Sequence, residues 1–250
     1  MLEGLKDALE HVEELARENT KTEVVKICGH TYANKALRRY DTANYAEPVK
    51  ATTLSALADY IVNCREEFTE DRRMIIHVVS PTKARLMSAL DGERKREVLF
   101  ETDAQVSGFH FDQWYDQESF MISLQANFAK TADLDAVLLL AGNIERKNEQ
   151  TYSDDGCTQV ATMTVGVAAK ADAIVPNPVQ LRPYRTFQEV EQPISQFVFR
   201  IGDRGTPEFK LVEAEGGIWK TEAVRKIKDY LELVLSEQDM ALRNRITIIG

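Results

Sequence analysis

Three short turn signals, each set between runs of strand-forming residues, constrain this chain more than any other feature. Asp91-Gly92 separates residues 84–90 from 96–101. Asp154-Asp155-Gly156 separates strand-like segments around 150–153 and 158–168, and Gly202-Asp203-Arg204-Gly205 separates 195–201 from 208–214. Asp and Gly reach the backbone angles of a tight reversal at little steric cost, so each signal predicts a β-hairpin. Within 195–201, Phe197, Phe199 and Ile201 alternate with more polar neighbours, the period of a strand buried on one face. Residues 73–79 form a further β-branched run of strand length, ended by Ser80-Pro81, and residues 23–28 another.

Helical spacing fills the intervals. Leu54, Leu57, Ala58, Ile61 and Cys64 share one face behind a capping Thr52 or Thr53. Phe120, Leu124 and Phe128 lie four apart. Thr131 or Asp133 opens a helix that Gly142-Asn143 closes. A last helix begins near Thr221 with Val224, Ile227, Leu231 and Val234 as its apolar stripe. Hairpins outnumber crossovers, so the expected fold is α+β, an antiparallel sheet built from hairpins with packed helices.

An N-terminal helical extension precedes that body. Leu2, Leu5, Leu9, Val12 and Ala16 recur at alternating steps of three and four, and the same twenty residues hold six acids against Lys6 and Arg17. Two heptads are too short for a stable coiled coil alone, so this stripe packs either on the body or on a second copy. The expected division is a helix over 1–20 and one α+β domain over 21–250.

The chain has 250 residues, of which 31 are Lys or Arg and 40 Asp or Glu, a net charge of −9. That balance disfavours a protein that coats nucleic acid, although a local basic groove would survive it. Cys28, Cys64 and Cys157 are odd in number and far apart, as expected of reduced thiols. The first residues carry acid early, which argues against a signal peptide, and the longest apolar run, 136–142, is far below the ~20 residues of a membrane span. A cytoplasmic protein without membrane contact is expected.

Catalytic signatures are missing: there is no phosphate loop, dinucleotide fingerprint or nucleophile elbow. His110 and Asp112 would share one face of a strand and could hold a metal, but no third ligand is near in sequence. Asp154-Asp155 could bind a cation in a hydrolase, yet its setting favours an ordinary turn. No catalytic residue, resident metal or cofactor is therefore expected. Polar specificity concentrates between residues 175 and 200. Pro176, Pro178, Pro183 and Pro193 stiffen this stretch, and Arg182, Tyr184, Arg185, Gln192 and Arg200 are the candidate ligand-binding side chains. Guanidinium forks beside aromatic rings suit a nucleotide or another anion. The competing structural reading pairs the arginines with Glu189, Glu191 and the acidic first helix and sends the rings into the core. Gly216-Gly217-Ile218-Trp219 is similarly two-sided: a ligand cradle, or a turn that seats Trp219 against the last helix.

The run 154–159, then 175–179 and 181–187, Glu191-Gln192-Pro193, Phe197-Val198-Phe199-Arg200, and the close on 213–217 and Trp219 together resemble the YfdQ-like family. The stretch 114–120 also fits. The resemblance covers most of the chain and is specific from about Trp114 to Leu231, while 237–250 reads as an added tail. That family comprises phage and prophage proteins with a domain of unknown function. It implies expression in the bacterial host cytosol and supplies no catalytic residues. The expected function is a non-enzymatic phage accessory protein, homo-oligomeric, that binds a host factor or a small anionic, nucleotide-like ligand during infection. The alternatives are a nucleic-acid-associated accessory in phage replication or recombination and a metal-dependent hydrolase using Asp154 and Asp155.

Overall fold

The computed structural model describes residues 2–27, 30–35, 45–67, 73–106, 108–144, 153–154, 158–165, 169–203 and 206–250. Backbone contacts divide the chain into two compact units, Met1–Tyr45 and Ala46–Gly250. The first holds helix α1 (Leu2–Thr20) and an antiparallel hairpin of β1 (Val24–Ile27) and β2 (His30–Ala33). Asn34 closes the hairpin's base: its Oδ1 accepts from the Glu23 N–H at 3.0 Å and its Nδ2 donates to the Lys21 carbonyl at 3.2 Å.

The second unit runs through β3 (Val49–Ala51), α2 (Leu54–Asn63), β4 (Met74–Ser80), β5 (Lys83–Ser88), β6 (Val98–Asp103) and β7 (Tyr115–Asp116). Then follow α3 (Gln117–Asn127), β8 (Phe128–Ala129), α4 (Ala132–Asn143), β9 (Ser153–Asp154), β10 (Thr158–Val165), β11 (Ala169–Pro176) and β12 (Val179–Pro183). The chain ends with β13 (Ser195–Asp203), β14 (Pro207–Glu213), α5 (Trp219–Ser236), α6 (Met240–Arg243) and β15 (Ile246–Ile249). One five-stranded sheet has the order β15-β4-β5-β6-β3 and another β7-β14-β13-β12-β8; a smaller one has the order β11-β10-β9.

The fold is α+β. The turn at Asp91-Gly92 joins antiparallel β5 and β6, and β13 and β14 also pair antiparallel. β9 and β10 pair antiparallel as well; Asp155 and Gly156 between them lie outside the described residues, as do Cys28, Cys157, Arg204 and Gly205. Helix starts follow side-chain capping chemistry: Thr53, Asp116 and Thr131 accept from the N–H groups of Ala56, Ser119 and Leu134. Two pairings are parallel, β3 with β6 and β15 with β4. The apolar ending Ile246–Ile249, part of the stretch that reads as an added tail, thus pairs with β4 as an edge strand of this sheet.

Two apolar cores form. In one, Met74, Ile76, Val78, Ala84 and Leu86 meet Leu54, Leu57 and Ile61 of α2 and Ile227, Leu231 and Leu235 of α5. In the other, Phe120, Leu124, Val137 and Leu140 from α3 and α4 cover Leu181, Phe197, Phe199, Phe209 and Leu211. The Phe120 ring stacks on Phe209 at 5.2 Å between centroids, and Phe111 on Phe197 at 5.0 Å.

Two local expectations are corrected. The buried stripe of α5 is Ala223, Ile227, Leu231 and Leu235, because four-residue steps turn Val224 and Val234 toward the helix flank. His110 lies in irregular chain and Asp112 in the turn that follows, not on a strand face. Asp112 has φ 58°, and its carboxylate accepts from Lys210 Nζ at 2.9 Å.

Candidate functional site

The stretch 181–193 crosses from one core to the other. Leu181 belongs to the aromatic core, whereas Phe187 and Val190 are buried beneath α2 and α5. Gln192, 5 % exposed, organises the crossing. Its Oε1 accepts from the Arg185 and Thr186 N–H groups at 3.0 and 3.2 Å, and its Nε2 donates to the Phe187 carbonyl at 2.9 Å. Thr186 Oγ1 donates to the Pro81 carbonyl at 2.5 Å and ties the strap to the β4–β5 turn.

The three arginines have different surroundings. Arg185 is buried; its Nη1 meets Glu213 at 2.5 Å, and its Nη2 meets Ser195 Oγ and, at 3.6 Å, Glu215. Its guanidinium lies over the Trp219 ring. Burial pulls this group below the usual arginine range, while Glu213 and Glu215 pull it back up. Arg182 pairs with Glu191 at 3.1 Å, and Glu191 also meets Lys226 at 3.1 Å. The Lys226 hydrogen bond, then Arg182, holds the Glu191 carboxyl below the usual range. Arg200 lies on the face of β13 opposite Phe197 and Phe199, paired in register with Lys210. Tyr184 is half-exposed, and its N–H donates to the Asn127 carbonyl at 2.8 Å. Arg185 and Gln192 are thus brought into one buried network with Ser195, Glu213 and Glu215, whereas Arg182 sits in a more exposed pair with Glu191, which Lys226 of α5 shares.

Beside that network a cavity of about 520 Å³ opens between the end of β4 and the first half of α5. Val79, Ser80 and Pro81 form one wall; Lys220, Thr221, Val224, Arg225 and Lys228 form the other, with Gly250 between them. The register of β4 against β5 shifts between Val78 and Ser80. Such an irregularity re-aims a side chain, and Val79 is left 42 % exposed at the opening. Across from it, Thr221, Val224, Arg225 and Lys228 follow the steps that line one face of a helix.

Local sequence sets the position of that helix. Gly216 and Gly217 take φ 62° and 83°, values that a residue with a Cβ adopts at a cost, and turn the chain from β14 into α5. No side chain caps the helix at Ile218. Among the described residues, Lys220, Arg225 and Lys228 make no ion pair, although Asp229 and Glu232 follow four residues after the last two. Their neighbour Lys226 contrasts, bound to both Glu222 and Glu191. Three cations without an ion pair along the first half of α5, with Lys220 in its first turn, create a field that attracts anions. Lys offers point charges and Arg a planar fork, and Thr221 and Ser80 add hydroxyls. The lining side chains are thus cationic, hydroxyl-bearing or apolar, a set of donors that suits holding an anion.

Sequence reasoning stopped at Gly216-Gly217-Ile218-Trp219 and missed the cations just beyond. The available signal was the basic spacing 220, 225 and 228 on one helix. Among the described residues, no group of three His, Cys, Asp or Glu could hold a metal ion, and no helix is long and apolar enough to cross a membrane. No family model matches this chain, and no curated protein or solved structure matches it either.

Proposed function

We propose that this protein is a non-catalytic phage accessory protein that binds a small phosphate-bearing anion in the cavity between β4 and α5. The phage setting rests on the resemblance of residues 114–231 to the YfdQ-like proteins. The ligand class rests on Lys220, Arg225 and Lys228, three cations without an ion pair among the described residues, beside one opening. A cavity of about 520 Å³ lies within the range that holds nucleotide-sized ligands. Net acidity elsewhere on the chain repels a long polyanion, so a compact ligand is favoured over a nucleic-acid strand.

The test is calorimetric titration of the full chain with inorganic phosphate, pyrophosphate, mononucleotides and cyclic dinucleotides. Saturable binding of at least one, weakened tenfold or more in Arg225→Gln/Lys228→Gln and unchanged in Arg182→Gln, supports the cavity. Binding that is lost in Arg182→Gln but kept in the α5 variant would move the site to the strap. Absence of binding across the series removes the anion reading.

A further inference from the structure

Every residue of the unit Met1–Tyr45 whose burial is described is exposed. Leu5, Leu9 and Val12 on α1 are 62 %, 63 % and 61 % exposed, and Leu15 48 %. Ordering a nineteen-residue helix costs conformational entropy that only apolar burial can offset, so this stripe requires a covering surface. We propose that the cover is α1 of a second copy, packed antiparallel, with Leu9 against Val12 of the other copy and Leu5 against Ala16.

Charge selects that partner and that register. Leu5, Leu9, Val12 and Ala16 form the seam, with steps of four, three and four. Lys6 and Glu13 then flank the seam on one side, Ala8 and Leu15 on the other. Asp7, Glu10, Glu14 and Glu18 point away from it and stay in solvent. With Leu9 opposite Val12, antiparallel helices bring Lys6 of each copy against Glu13 of the other, twice by symmetry. Sliding one heptad either way would oppose Lys6 to Lys6 or Glu13 to Glu13. A parallel pair would set Ala8, not a charge, beside Glu13. Antiparallel packing also aligns the helix dipoles favourably.

Lys6 and Glu13 are free to reach across. Their side chains are 75 % and 63 % exposed, and their contacts are the neighbouring Glu10 at 3.7 Å and Arg17 at 2.8 Å. The seam is short, so association is weak and depends on concentration.

Sedimentation of the full chain over a concentration series tests the pairing. The unaltered chain forms a dimer. Lys6→Glu and Glu13→Lys each make both flanking contacts repulsive and raise the dissociation constant about tenfold. An equal mixture of the two restores dimerisation, because the acid introduced into one variant then faces the lysine introduced into the other. The unaltered Glu13 of the first variant meets the unaltered Lys6 of the second in the same way. Changes within each helix are the same alone and mixed, so recovery on mixing reports contact between helices. A chain that stays monomeric at every concentration overturns the proposal. So does a dimer that survives Leu9→Glu, or variants whose mixture associates no better than either alone.

Discussion

The guanidinium carbon of Arg185 lies 3.8 Å from the centroid of the Trp219 ring. A buried cation on the stretch 181–193 is thereby stacked against the first residue of α5, the helix whose first three turns carry the cavity's cations. The same guanidinium is also fixed to Glu213 at the end of β14. Strap, sheet and helix start are joined at one point, and the cavity's helical wall depends on it.

Replacing Arg185 tests that junction. Arg185→Ala leaves half-buried Glu215 and exposed Glu213 without their counter-charge and strands Ser195, at a cost of about 1–3 kcal/mol. Arg185→Lys keeps the charge but loses the flat fork over Trp219 and recovers only part of the stability. Urea unfolding measures both. A loss under about 1 kcal/mol for Arg185→Ala would show the pair to be peripheral.

Gln192 is the second test of the strap. One buried amide accepts from two backbone N–H groups and donates to the Phe187 carbonyl. Gln192→Leu is of similar size but strands those groups, at about 1–3 kcal/mol for each buried group left unsatisfied. Gln192→Glu fails to rescue, since a carboxylate cannot donate to Phe187. Denaturant midpoints of the three proteins rank wild type first; equal midpoints would contradict the network.

How much of this was legible beforehand follows from the range of each interaction. Local chemistry was readable: Asp91-Gly92 as a hairpin, each cap to one of two neighbouring residues that the structure settles as Thr53 and Thr131, and Phe197 and Phe199 as one buried face. Pairings between distant segments were not. Nothing in Ile246–Ile249 states that it lies parallel to Met74–His77, because a strand's partner is set by the whole sheet. The arginine stretch stayed two-sided for a related reason. Guanidinium forks suit a nucleotide as well as Glu213, and the carboxylates that decide the matter for Arg185 lie 28 and 30 residues away in sequence. The cavity's cations escaped notice because an unpaired lysine is defined by what does not surround it.

Asp239 makes stability depend on pH. Its carboxylate caps α6 by accepting from the Leu242 N–H at 2.8 Å and also meets Arg65 at 2.5 Å. The backbone bond first, then Arg65, holds it below the usual aspartate range. A lowered folded value means stabilisation that is complete above the unfolded value near 3.9 and lost as pH falls through the folded one. Asp239→Ala therefore lowers the melting temperature at pH 7, and the deficit shrinks as pH falls below about 4. A deficit constant from pH 7 to pH 3 would contradict the titration of this group.

Gly202 and Trp114 form a steric pair. A Cβ at Gly202 would lie 2.9 Å from Trp114 Cζ3, closer than real contacts allow. Gly202→Ala is expected to cost about 1–3 kcal/mol by overpacking. Trp114→Leu removes the obstructing ring along with its contact to Lys210, whose Nζ is 5.0 Å from the ring centroid. The double variant should cost less than the sum of the two singles, and a double-mutant cycle in urea measures that coupling. Strict additivity would mean that the ring yields without cost.

The cavity's cations should behave opposite to Arg185. Among the described residues, Lys220, Arg225 and Lys228 hold no carboxylate, so neutralising them breaks no ion pair. Exposed substitutions of this kind shift stability by no more than about 0.5 kcal/mol, and relief of mutual repulsion favours the variant. Lys220→Gln/Arg225→Gln/Lys228→Gln should thus melt at or above the wild-type temperature in low-salt buffer without anions. With a phosphate-bearing ligand at about a hundred times its dissociation constant, the wild-type chain gains roughly 2.7 kcal/mol and the triple variant gains almost none. The two curves cross as ligand is added. Such a crossing separates residues kept for binding from residues kept for folding, because a structural trio would lower the melting temperature at every ligand concentration.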